Sequence, residues 1–348
     1  MSQFDVVVIQ ADSVWWRIYE KEMMERHLGP SVQFRPETVS AKDIFDIKPR
    51  WVSWKLNTET TDEKLWQRCC RIADMLGDSV RHINDPRGWL NCHAKEVCFR
   101  KWRDNGISVP DWFEFSLDDF NYQRFPFPYL LRINNGNTGR QSYLCQNQRD
   151  VEFALNCLKT NMDVCYDGSA SRGTRRKLIC VKFIDTLQEN RQVNMSFRII
   201  VAARRVVTGY ARVGQPSDWV AITNRFEPWM EEIFVRCNQK CQQFCRDHED
   251  DLVKSVKVLS QTLLGVDVIL DSQGNPYWLE VQPGFSVGYT NRSGWYPPFY
   301  NPSKPQALVD FLQRDMDRLR HAIPMYTECW LDKQKMFDMA FNAIKESA

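Results

Sequence analysis

Two short runs constrain this chain more than anything else in it. Gly265-Val266-Asp267-Val268-Ile269-Leu270-Asp271 is followed, beyond the turn residues Ser272-Gln273-Gly274-Asn275-Pro276, by Leu279-Glu280-Val281-Gln282-Pro283-Gly284. Val266, Val268 and Leu270 alternate with Asp267, Ile269 and Asp271, the two-residue period of a strand with two distinct faces. A tight hairpin then brings Asp267 and Glu280 near each other, and the same period puts Gln282 on the face of Glu280. Two carboxylates and an amide oxygen on rigid strands suit a hard cation such as Mg²⁺, which takes oxygen ligands and usually shares them with substrate phosphates. Apolar residues bracket both acids, which places them at the edge of a core and not on a solvated hairpin.

The 348 residues exceed one ordinary domain, and an apolar content of 43% supports a large core. A net charge of +2 with 26% charged residues argues against a dedicated nucleic-acid or membrane surface. The apolar run after Met1 has no basic flank and stops at Gln10, so it reads as a buried first strand, not a signal peptide. No apolar window approaches the ~20 residues of a membrane span. The expectation is a soluble, cytoplasmic protein.

Twelve cysteines occur without a Cys-x-x-Cys pair, which reads as free, buried thiols. Cys237, Cys241, Cys245 and His248 share one face of an expected helix. At ~1.5 Å per residue they span about three turns, too far for one metal, and Ile233, Phe234 and Phe244 lie beside them. A core-facing stripe is the preferred reading.

Along the chain, a strand at 4–10, a helix from Val14 to His27, a strand at 50–54 and a helix from Asp62 to Met75 suggest a small α/β unit with parallel strands. It has no Gly-x-Gly-x-x-Gly loop, so dinucleotide binding is not assigned. The turn Asn84-Asp85-Pro86 precedes an expected helix from Gly88 to Asn105, ended by Gly106-Ile107-Ser108-Val109-Pro110. Strands are expected at Pro128–Ile133 and Ser142–Cys145, around a small-residue loop with Gly136, Thr138 and Gly139. Residues 161–177 read as a connector, Leu178–Asp185 as a strand and hinge, and Arg198 as the first residue of a strand paired with Val206–Arg212. The aromatic, proline-rich run 295–302 reads as packing, and the apolar tail from Met325 to Ile344 as docking on the body or on a second subunit.

These motifs, in this order, resemble the ATP-grasp superfamily, whose members join a carboxylate to an amine at the expense of ATP. The resemblance covers roughly residues 80–320. It implies an α/β fold of the α+β ATP-grasp type: a small α/β lead domain followed by two α+β subdomains clasping ATP. The corresponding boundaries are 1–82, 83–182, 183–322 and a helical extension at 323–348.

The resemblance also implies roles. Lys95, Arg132 and the loop carrying Gly136, Thr138 and Gly139 would hold the triphosphate. The hinge Lys182-Phe183-Ile184 would meet the adenine edge, chiefly by its backbone, and Asp185 and Glu189 would meet the ribose. Asp267, Glu280 and Gln282 would hold Mg²⁺, with Mn²⁺ as a substitute. Arg212, with Arg198, would face the transferring phosphoryl group, and Asn224 lies in the loop before the next helix. The chain departs from the family at Gln282, usually Asn; at Arg132, usually Lys; and at Lys182, usually Glu. The expected activity is an ATP-dependent ligase that activates a carboxylate as an acyl phosphate and joins it to an amine. Its partners would be small-molecule or peptide carboxylates and amines, with no nucleic acid and no membrane; a homo-oligomer stays open. A nucleotide-binding protein without catalysis and a phosphotransferase on the same fold fit the same motifs.

Overall fold

A computed structural model describes residues 4–10, 17–56, 63–117, 119–121, 123–134, 142–164, 177–217, 226–282, 306–330 and 333–348, and the elements below are those of the described residues. The chain opens with β1 (Val6–Gln10), α1 (Arg17–Leu28), β2 (Ser31–Phe34), α2 (Ala41–Ile47), β3 (Trp51–Lys55), α3 (Glu63–Leu76) and β4 (Arg81–Ile83). The strands form one parallel sheet in the order β2-β1-β3-β4. Every residue of β1 is buried because the sheet is covered on both sides, as parallel sheets are. Val7, Ile9, Val52 and Trp54 meet Ile44 of α2 and Ile72 of α3, whereas Val6, Val8, Trp51 and Ile83 join the main core of the chain.

After β4, Asn84 takes a left-handed conformation (φ 56°) and turns the chain toward Leu263. Its Oδ1 accepts from the N–H groups of Thr262 (3.2 Å) and Leu263 (2.8 Å), and its Nδ2 donates to the Leu263 carbonyl at 2.9 Å. The expected single helix from Gly88 to Asn105 is in fact two, α4 (Trp89–His93) and α5 (Lys95–Asp104). Ala94 between them is extended (φ −94°, ψ 108°). The break has a tertiary cause. Asn134 accepts from Lys95 N–H through its backbone carbonyl (3.4 Å) and from Glu96 N–H through Oδ1 (3.0 Å), so a distant residue serves the free donors of the new helix start.

The second sheet holds β5 (Trp112–Phe115), β6 (Tyr129–Ile133), β7 (Ser142–Cys145) and, after α6 (Gln148–Val164), β8 (Leu178–Lys182). Its order is β5-β8-β6-β7, all antiparallel, with Phe113, Leu131, Cys145 and Leu158 in its core. The third sheet holds β9 (Leu187–Gln188), β10 (Val193–Ala202), β11 (Arg205–Gly214) and, after α7 (Glu231–Asp247) and α8 (Glu249–Lys257), β12 (Leu263–Leu270) and β13 (Pro276–Gln282). Its order is β11-β10-β12-β13, antiparallel, with β9 beside β10. Arg198 therefore does not open its strand, as expected from sequence, but lies within it, because pairing with β11 extends β10 back to Asn194 and pairing with β9 to Val193.

Helix α7 packs its cysteines on this sheet. A Cβ added at Gly209 would lie 2.9 Å from Cys245 Sγ and 3.4 Å from Cys241 Sγ. Cys237, Cys241 and Cys245 are buried, while His248 falls just past the helix end and stacks on Phe244 at 4.4 Å. The thiols fill core space, in keeping with the stripe reading.

Four helices close the chain: α9 (Gln306–Arg314), α10 (Met316–Ala322), α11 (Pro324–Trp330) and α12 (Lys333–Glu346). Tyr326 packs on Tyr210 and Phe234, and Phe337, Phe341 and Ile344 enter the main core. Asp338 of α12 accepts from Arg26 Nη1 at 3.2 Å and lies 2.8 Å from His27 Nε2, both on α1. The tail thus docks on the body of its own chain. No described helix is long and apolar enough to cross a membrane.

Candidate active site

Four residues form a row across the third sheet. Tyr210 on β11 pairs with Arg198 on β10, Arg198 with Asp267 on β12, and Asp267 with Glu280 on β13. Cross-strand partners project from the same face, so the row is a continuous polar strip. Arg212 and Gln282, each two residues along its own strand, belong to the same face. A β-bulge follows Asp267: Asp267 opposes Glu280, but Val268 already opposes Trp278. Such bulges re-aim side chains beside functional sites.

Asp267 is almost fully buried, and its carboxylate is held by two arginines. Arg198 donates to it as a fork, Nε to Oδ1 and Nη2 to Oδ2, each at 2.7 Å. Arg212 Nη2 stands 2.8 Å from the same Oδ2, while Arg212 Nε is buried without a hydrogen-bond partner among the described residues. Burial works against the Arg198 charge, yet the Asp267 carboxylate outweighs it and raises the guanidinium pKa.

Glu280 is met from the other side. Lys95, the first residue of α5, places Nζ 3.0 Å from Glu280 Oε2, and Gln282 Nε2 donates to Glu280 Oε1 at 3.1 Å. Burial alone would raise the Glu280 pKa, but Lys95 and the nearby Arg132 of β6 overcome it and hold the carboxyl below its ordinary value. Lys95 shifts downward too: burial is the main cause, Glu280 opposes it, and Arg132 adds to it. The two directions agree once Arg132 is counted, because it stabilises Glu280 as an anion and disfavours a second cation beside it. Arg132 itself is lowered by burial against the pull of Glu280. Among the described residues, four cationic side chains therefore surround two carboxylates.

Local structure explains how these side chains meet. The Asn84 turn anchors the start of β12, and the Trp278 N–H donates to the Ser108 carbonyl at 2.9 Å, which binds β13 to the segment after α5. The Asn134 contacts fix where α5 begins, and thereby where Lys95 points. Of the hinge, Lys182 N–H donates to Asp111 O at 2.8 Å and its Nζ lies 3.5 Å from Asp111, so its amide is already engaged. Phe183 N–H donates to Pro128 O at 3.4 Å, and Ile184 follows it in the same connection toward β9. Asp185 accepts from Arg191 (2.7 Å) and Leu187 N–H (3.1 Å). Glu189 is held by Arg236 (2.9 Å) and Lys240 (3.1 Å) of α7. Asn224, Gly136, Thr138, Gly139 and the aromatic run 295–302 lie outside the described residues.

Two residues of this arrangement are not singled out by any sequence motif. Tyr210 stands two positions before Arg212, and the strand period alone would have put it on the same face. Asn134 carried no local signal at all, since the helix start it serves is 38 residues away.

The donor set suits a hard cation bound together with an anion. Among the described residues no group of three or more His, Cys, Asp or Glu could hold a metal by itself. Two carboxylates plus an amide that can present oxygen after rotation match Mg²⁺, which completes its shell with phosphate oxygens and water. The buried, unpartnered Arg212 Nε is a donor suited to such an anion.

The sequence profile of the RimK-like ATP-grasp domain matches residues 113–293, just over half of the chain. The chain belongs to the RimK-like ATP-grasp family. ATP-grasp ligases in general use ATP and Mg²⁺. Among solved structures, an L-amino acid ligase from Bacillus licheniformis aligns at 13% identity over 81% of this chain and 69% of that one, with a TM-score of 0.51. The ATP-grasp ligase PsnB, complexed with a phosphomimetic variant of its minimal precursor, Mg and ADP, aligns at 12% identity over 84% of this chain and 93% of that one, with a TM-score of 0.50. At these identities the likeness is one of fold. No curated protein sequence matches the chain.

Proposed function

We propose that the protein is an ATP-dependent carboxylate–amine ligase that releases ADP and phosphate. One observation carries this reading: cations from α5, β6, β10 and β11 converge on two carboxylates on one sheet face. Such an excess of positive charge among the described residues suits a triphosphate, and the carboxylates suit its metal. In this reading Lys95 and Arg132 neutralise the β- and γ-phosphate oxygens and hold the chain of phosphates in line. Asp267, Glu280 and Gln282 would hold Mg²⁺, which when bound neutralises charge on the phosphates. Arg212 faces the γ-phosphoryl group as a substrate carboxylate attacks the phosphorus, and ADP leaves. The resulting acyl phosphate keeps its negative oxygens against Arg212, and an incoming amine displaces phosphate to give an amide. The chain need supply no nucleophile, because positioning and charge neutralisation dominate phosphoryl transfer. The hinge at Lys182–Ile184 is the proposed seat of the adenine, and Asp185 or Glu189 would reach the ribose only by exchanging a present ion pair. The acceptor amine belongs to an amino acid or a peptide.

The test is turnover of Mg²⁺-ATP with pooled amino acids, peptides and small carboxylates, read by mass spectrometry, with Glu280→Gln as control. ADP with a product equal to two pool members less water is the expected result. A phosphorylated product without condensation would instead indicate a phosphotransferase. Nucleotide binding with no turnover of any pool member would favour a binding protein.

A further inference from the structure

The two arginines on Asp267 are not equivalent. Arg198 uses both arms of its fork on the carboxylate, at 2.7 Å each. Among the described residues, Arg212 makes one contact with the carboxylate at 2.8 Å and leaves its buried Nε without a partner. A guanidinium with half its fork unsatisfied in a buried setting loses the worth of that donor, and regains it by moving to an anion that can take both arms. On Asp267 the two arginines meet at one oxygen: Oδ2 carries a contact from each, while Oδ1 is held by Arg198 alone.

A bare divalent cation would have to displace Arg212 to reach Oδ2, and at either oxygen it would enter a cluster in which cations already outnumber carboxylates among the described residues. A metal–triphosphate complex meets no such charge barrier and offers the displaced Arg212 a new partner. Its net charge is negative, and its oxygens can accept from both arms of Arg212 as that residue leaves Asp267. We infer that Arg212 is an exchange residue: it closes Asp267 to free divalent metal in the unliganded protein and hands it over as the metal–nucleotide complex arrives. This rests on the proposed nucleotide site, and it goes further in giving metal entry an obligatory partner.

The exchange is read by electron paramagnetic resonance of Mn²⁺, which distinguishes free from protein-bound ion without any turnover. The wild-type protein with Mn²⁺ alone should leave the free-ion signal intact, at concentrations where adding a non-hydrolysable ATP analogue produces a bound signal. Arg212→Gln removes the closing charge while Arg198 still holds the carboxylate, and should bind Mn²⁺ alone about tenfold or more tightly than wild type. Arg212→Met is the second variant, used if the glutamine disturbs folding as judged by circular dichroism, and the same gain is expected. Arg212→Lys keeps the charge and should keep the exclusion. Adding Asp267→Asn to Arg212→Gln should abolish the gain, which places the bound ion at this carboxylate. The inference is overturned if wild type binds Mn²⁺ alone as tightly as with the analogue, or if the neutral variants bind it no better. These metal-only titrations decide the matter whether or not a condensed product is ever found, so a failed ligase assay and a failed exchange remain distinct results.

Discussion

Lys95 Nζ lies 3.0 Å from Glu280 Oε2, so the first residue of α5 is joined to a carboxylate on β13, an element far along the chain. Lys95 is 7% exposed and Glu280 22%, and a pair so placed behaves unlike a surface salt bridge. Removing one partner strands the other in a poorly solvated site next to the remaining charges. Lys95→Met should therefore destabilise the protein by about 3 kcal/mol, as breaking a buried pair does. Glu280→Gln leaves three further cations less balanced and should cost a similar amount. The double variant should cost less than the two singles summed, read as urea unfolding midpoints, and strict additivity would show that the contact carries no coupling.

Gln282 donates to Glu280 Oε1 at 3.1 Å and stands where the family usually has Asn. If its amide oxygen joins the metal's shell, Gln282→Ala should weaken Mn²⁺–nucleotide binding by about tenfold, the low end for loss of a supporting ligand group. Gln282→Asn should retain most of the affinity. Equal binding by the alanine variant would remove Gln282 from the ligand set.

At Gly209 the prediction is one of packing. An added Cβ would come within 2.9 Å of Cys245 Sγ, 3.3 Å of Ile199 Cγ1 and 3.4 Å of Cys241 Sγ. Gly209→Ala should destabilise by about 1–3 kcal/mol through overpacking. Cys245→Ala, which withdraws the nearest atom, should recover part of that loss in the same background, as measured by thermal unfolding. A neutral Gly209→Ala would mean that α7 rides less closely on the sheet.

Asp338 links the tail to α1. Its hydrogen bond with His27 is the chief reason its carboxyl titrates below the ordinary value near 3.8, with Arg26 adding to the effect and burial opposing it. A depressed folded-state pKa contributes stability above the unfolded value and loses it as pH falls through the folded one. Wild type should thus lose more stability than Asp338→Asn as the pH drops from about 5 to below the carboxylate range. Because Asp338 is 37% exposed, the difference should stay below about 1 kcal/mol. Identical acid profiles would deny the contact any part in docking the tail.

Much of the site could be read from residues in order. The hairpin that sets Asp267 opposite Glu280, the common face of Glu280 and Gln282, and the strand pair bearing Arg198 and Arg212 all follow from a period of two and a turn between apolar runs. These are local relations: neighbouring strands in a hairpin need no information from elsewhere to find their faces. The same holds for the parallel lead sheet, signalled by alternating strands and helices.

The tertiary structure alone decided the rest. Helix propensity runs unbroken through Ala94, and only Asn134, supplying acceptors to Lys95 and Glu96, divides the helix and aims Lys95 at Glu280. The bulge after Asp267 depends on how β13 sits against Ser108 as well as on its own residues. The double claim of Arg198 and Arg212 on one carboxylate likewise has no counterpart in spacing or composition. Buried charges and free backbone donors must find partners, and they take them from whichever segment the fold brings near. The sequence by itself determined which chemical groups are present and which strand faces they occupy; which group neutralises which was settled by segments distant along the chain, because burial makes an unpaired charge too costly to leave alone.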